Sequence, residues 1–143
     1  MTDRQQKACD IFVSGYNCAQ AVLMAFAPEI GMDEKTAAKL ASSFGGGMAR
    51  MREVCGAVSA MFMVAGLLKS SGEPSQNAEQ YALINELAAE FKAENHSIIC
   101  RELLEGLDTL PGTAPEPRTA EYYAKRPCAR YVMKAVEITE KLL

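Results

Sequence analysis

"VCGAVSAMFMVAGLL", Val54 to Leu68, is the longest apolar run in the chain, and its reading decides the fold. Ser59 interrupts it, Glu53 and Lys69 bracket it, and it falls short of the about 20 residues needed to cross a bilayer. The run therefore predicts a buried central helix and no membrane span.

Helical spacing continues on both sides of it, and no alternating strand pattern competes. Upstream, Ala8, Ile11 and Phe12 share a face that also includes Cys9 and stops at Gly15. Asn17 caps a second helix, with Cys18, Val22 and Ala25 on one face until Pro28. Asp33 caps a third, with Ala37, Leu40, Ala41 and Phe44 on one side, and the triple glycine Gly45 to Gly47 reads as its stop.

Downstream, Ser75 or Asn77 caps a long amphipathic helix with Tyr81, Ile84, Leu87, Ala88 and Phe91 inward. Its Glu79, Glu86, Glu90 and Lys92 form a solvated face. A short helix is expected over 97–104. The stretch "EGLDTLPGTAPEPRTAEYYAKRP" then holds four of the six prolines and breaks regular structure. A last helix starts at Pro127 and runs through Tyr131, Ala135, Ile138 and Leu142. The sum is an all-α fold, a compact bundle of about six helices in a single domain over residues 1–143.

Composition narrows the function. A chain of 143 residues, 49% hydrophobic and without tryptophan, has enough apolar surface to bury a core by itself. Its net charge of -3 removes the general attraction to phosphate backbones, so nucleic acid is not an expected partner. The start, "MTDRQQKACDIF", has no apolar core of signal-peptide length, so the expected location is cytoplasmic.

Five cysteines stand out in a compartment expected to be reducing, where cysteine clusters more often do metal or redox work than form structural disulfides. None are paired as C-x-x-C, which weakens zinc-finger, thioredoxin and haem-attachment readings. Four share another pattern. In "GYNCAQAVL", "SIICRELL" and "KRPCARYV", Cys18, Cys100 and Cys128 fall in the first turn of an expected helix, and in "REVCGAVSA" Cys55 does so if its helix starts near Glu53.

A first helical turn presents unpaired N–H groups and the positive end of the macrodipole, and both favour a thiolate. Lys125, Arg126 and Arg130 lie close to Cys128, and Arg50 and Arg52 precede Cys55, adding to that effect. Any single free cysteine is as often a small buried hydrophobe. That plainer reading is kept for mid-helix Cys9. For the other four, an antiparallel bundle brings helix ends together, and bundle cores commonly host sites.

"CGAVSA" behind "SSFGGGMARMREV", with "YNCAQAV" upstream and lone cysteines at 100 and 128, resembles the redox-active family named for its C_GCAxxG_C_C pattern. The resemblance covers nearly the whole chain. It implies a small helical protein with a redox role carried by four cysteines, matching here Cys18, Cys55, Cys100 and Cys128. The pattern ends in glycine where this chain has Ala60. Gly56 and Ala60 still form a small-xxx-small surface for close helix approach.

The leading functional reading is thiol-disulfide exchange or electron transfer by these clustered cysteines; as an enzyme, the protein would be a thiol-disulfide oxidoreductase. Exchange needs one accessible, low-pKa cysteine and a resolving partner. Cys100 with Cys128 is the preferred pair, since the proline-rich connection between them can return the chain to the same end of the bundle. Closing that loop would stabilise by about 3 to 4 kcal/mol. Cys18 with Cys55 is the second pair. The redox partner is not given by the sequence, and association of like copies stays open.

Two other readings compete. The same four cysteines, Cys18, Cys55, Cys100 and Cys128, are a ligand set suited to zinc or an iron-sulfur cluster, although metal sites usually draw at least two ligands from one short loop. The cofactor thus stays open between none, zinc and a cluster. Third comes a non-enzymatic helical interaction module, with Met48, Met51, Met61 and Met63 as an adaptable surface. His96, the only histidine, is either a linker residue or, on a helix extended back to it, a base or ligand beside Cys100. "FGGGMARMR" lacks the lysine and hydroxyl of a phosphate loop, and helix termination accounts for its glycines.

Overall fold

A computed structural model describes residues 1–107, 109 and 112–143. Asp108, Leu110 and Pro111 of the proline-rich connection lie outside the described residues. Among those described, the chain forms eight α-helices and no strand, an all-α fold. They are α1 Asp3–Val13, α2 Cys18–Ala25, α3 Glu34–Ala41, α4 Gly56–Lys69, α5 Asn77–Asn95, α6 Cys100–Leu103, α7 Ala120–Lys125 and α8 Cys128–Glu140. The short helix expected over 97–104 is the single turn α6, and the element beyond the expected ones is α7, which forms inside the proline-rich connection. There Thr119 accepts the Tyr122 N–H and starts a six-residue helix between the prolines.

Local chemistry starts the longer helices. Thr2 and Asn17 cap α1 and α2 in reciprocal boxes with Gln5 and Gln20, and Asp33 accepts the Thr36 N–H at the head of α3. α2 lies at the centre, with six of its eight residues buried, packed against α1, α3, α4 and α8. The apolar run becomes α4, whose first half is buried while Leu67 near its end is 52% exposed. Removing this much apolar surface from water is the main term holding the bundle together.

Several inward assignments need correction. Tyr81 and Leu40 are exposed, because the start of α5 and the outer side of α3 lie beyond the core. The methionines do not form one face: Met61 is fully buried and Met51 points outward. The triple glycine does not stop α3. That helix ends at Ala41, runs on as one tight turn over Ser42–Phe44, and the glycines begin a different structure.

From Gly46 to Arg50 five consecutive residues have positive φ (66°, 70°, 68°, 49° and 64°), with Arg52 at 61°. This left-handed turn is closed by bonds from the Arg50 N–H to the Gly45 carbonyl and from the Arg52 N–H to the Gly46 carbonyl. Its exit is fastened to the entry of α6. Val54 and Ile99 form an antiparallel bridge, the Cys55 N–H donates to the Ile98 carbonyl, and the Cys100 N–H donates to the Glu53 carbonyl. No helix among the described residues is long and apolar enough to cross a membrane.

Candidate functional site

The four cysteines singled out above end up around one cavity, although Cys55 stands just before its helix and not in the first turn. Cys18, Cys100 and Cys128 are the first residues of α2, α6 and α8, and Cys55 is the residue that caps α4. All four line a cavity of about 60 Å³, together with Phe12, Leu103, Tyr122, Tyr131 and the arginines 52, 118 and 126. All are free thiols. Cys9, on α1, is not among the lining residues.

Glycines make this convergence sterically feasible. A Cβ on Gly56 would stand 2.7 Å from Cys18 Sγ and 2.7 Å from the Phe44 carbonyl oxygen, so α4 approaches α2 only without one. A Cβ on Gly47 would meet Cys100 Cβ at 2.6 Å, and one on Gly45 would meet the Asn17 side chain that caps α2. Of the triple glycine, Gly46 lines the cavity itself, while Gly45 and Gly47 let Asn17 and Cys100 pack close beside it. The glycine spacing was visible in the sequence, but its purpose was not, since the contacts come from residues 17 and 100.

The thiols are close but not alike. The Cys55 S–H donates to Cys18, and the backbone N–H groups of Gly46, Ala57 and Ala19 also point to that sulfur, so its pKa falls to about 6 despite burial. Cys55 is raised in turn, first by that hydrogen bond and then by burial. Burial raises Cys100, although Arg52 Nη1 stands 3.7 Å from its sulfur and pulls the other way. Burial pushes Cys128 up to about 12 against the pull of Arg126. The expectation that a helix start would make all four acidic thus holds for Cys18 alone.

The cavity opens on a second space of about 320 Å³ that shares Arg52, Arg118, Arg126 and Tyr122 with it. Glu116 sits here between three cations: Arg50 and Arg52 each at 3.3 Å, and Arg126 in a shorter, buried pair. Arg50 also donates to the carbonyls of Gly112 and Ala114, tying the described end of the proline-rich connection to the left-handed turn. Sequence reasoning missed Glu116 and Arg118. The available signal was charge placed between prolines in a loop, which is where functional groups often sit.

His96 is the left-handed cap at the end of α5 and is exposed, so it supplies no base to Cys100. Metal binding receives no geometric support: among the described residues no group of three or more His, Cys, Asp or Glu side chains is arranged to hold one ion. The four cysteine sulfurs are soft donors of the kind that zinc or a cluster takes.

A family model described as "Putative redox-active protein (C_GCAxxG_C_C)" matches residues 16–142 of the 143. No curated protein and no solved structure matches the chain.

Proposed function

The chain belongs to the C_GCAxxG_C_C redox-active family, and from that premise we propose that it carries out thiol-disulfide exchange with Cys18 as attacking sulfur and Cys55 as resolving sulfur. The observation that carries this reading is that Cys18 and Cys55 line one cavity, where the neighbouring Cys55 holds the Cys18 thiol well below its ordinary pKa. A thiolate is the nucleophile in exchange, and its resolving partner must already stand within reach.

The pairing favoured by loop closure, Cys100 with Cys128, becomes the second pair. Both are held as thiols by burial, so neither is prepared to attack first. They line the same cavity and sense the Cys18 charge, which suits them to accept the disulfide from the first pair in a later exchange. A reducing compartment such as the cytoplasm suits all four.

The test is peptide mapping after mild, reversible oxidation of the intact protein. The expected product is a cross-linked peptide joining Cys18 to Cys55. A cross-link confined to Cys100 and Cys128, or no reversible loss of thiols, would overturn the assignment.

A further inference from the structure

Resting on the exchange reading above, we infer that the substrate is a small disulfide carrying carboxylate groups, held by the arginine wall of the outer space while its sulfur enters the thiol cavity. Size makes the first division. The inner cavity of about 60 Å³ admits a sulfur and its first carbons, whereas the outer space of about 320 Å³ has room for the rest of a small molecule.

Charge makes the second. The chain as a whole is at -3, yet the described lining of the outer space has four cations, Arg50, Arg52, Arg118 and Arg126, and a single acid, Glu116. Glu116 shows what this wall accepts, since a carboxylate of the protein itself is already gripped there by Arg50, Arg52 and Arg126.

Arg118 is the decisive residue. It donates to the carbonyls of Phe12 and Tyr16 at 3.4 and 3.2 Å and to the Tyr123 hydroxyl at 3.3 Å, and lies over the rings of Phe12, Tyr122 and Tyr123. It pairs with no carboxylate among the described residues. Its guanidinium is thus fixed in place on the wall of both spaces, where its positive charge faces whatever enters.

The chemistry balances. The Cys18 thiolate attacks one substrate sulfur, forming a mixed disulfide and expelling the other half as a thiolate. That thiolate takes the Cys55 proton. The Cys55 sulfur then attacks Cys18 Sγ, the mixed disulfide breaks, and the second half leaves as a thiolate that picks up a proton from water. The substrate gains two electrons and the cysteine pair loses two; a dithiol reductant restores it.

The experiment uses reduced full-length protein and three disulfides of differing charge: dithiodiglycolate, hydroxyethyl disulfide and cystamine. The rate of thiol loss with each is divided by its rate with free dithiothreitol in the same buffer. Dithiodiglycolate is expected to lead cystamine by about tenfold or more, with the neutral compound between, and the spread should narrow as salt is added. Arg118→Met should shrink that ratio toward one, and Arg118→Lys should keep part of it. Equal normalised rates, a lead for cystamine, or an unchanged ratio in a folded Arg118→Met overturns the inference and leaves exchange standing. Thiol loss with none of the three overturns the exchange reading and this inference with it. The comparison on the unaltered protein decides the matter even where a variant does not fold.

Discussion

Cys18 and Cys128 are each the first residue of a helix and face the same arginine-lined cavity, yet one thiol is acidified and the other is driven up to about 12. The helix end is common to both, so it does not make the difference. Direct donors do: Cys18 receives one S–H and backbone N–H groups from two neighbouring segments besides its own helix, while Cys128 has only charge at a distance to set against its burial. Hydrogen bonds made to the charged form outweigh desolvation; a macrodipole and an offset cation do not.

The largest effect that would break this comparison is the difference in reactivity itself. From values of about 6 and about 12 the thiolate fractions near neutral pH differ by roughly 10⁵-fold, and the lower nucleophilicity of the more acidic sulfur takes back several hundredfold. Iodoacetamide should therefore label Cys18 roughly 100-fold faster than Cys128, read by mass spectrometry of the peptides. Similar labelling rates would mean that the donors around Cys18 do not act as described.

Next comes the donor. Cys55→Ala removes the S–H that stabilises the Cys18 thiolate, so the Cys18 pKa must rise and its labelling at about pH 6 should slow by about tenfold. The sign is checked by the pH profile: the variant and the parent converge at alkaline pH, where both are ionised. Cys128→Ser should leave the profile nearly in place, because Cys128 donates nothing to Cys18.

A third test acts on packing. Gly56→Ala forces a methyl against Cys18 Sγ and the Phe44 carbonyl, and should destabilise by about 1 to 3 kcal/mol in thermal unfolding. It should also move the Cys18 profile toward alkaline pH, since the sulfur is displaced from its donors. The smallest effect belongs to Ala60→Gly, which restores the family residue: loss of a buried methyl and a freer helix backbone should cost about 1 kcal/mol and leave the Cys18 profile unmoved. A shift there would place Ala60 in the thiol environment.

How much of this was readable beforehand follows the range of the interactions. Asn17 and Asp33 announced their helices because a cap acts over three residues. The convergence of four helix starts was legible from their shared pattern. The sense of each thiol was not, because it depends on who donates to whom across distant segments. Ala57 and Gly46 reach Cys18 only once α4 and the left-handed turn have docked. Arg118 and Glu116 were hidden for the same reason: their partners lie at Phe12 and Tyr16 in one case and at Arg50 and Arg52 in the other.

The left-handed turn has one more consequence. Met48, Ala49, Arg50 and Arg52 each hold a backbone conformation that disfavours side chains by about 1 to 2 kcal/mol, and what restrains them is hydrogen bonding to the 98–101 segment and to the carbonyls of Gly112 and Ala114. The helices carry no such burden. On gentle heating this corner should let go first, so the Cys18 sulfur loses its acidity several degrees before the helical signal declines and regains it on cooling.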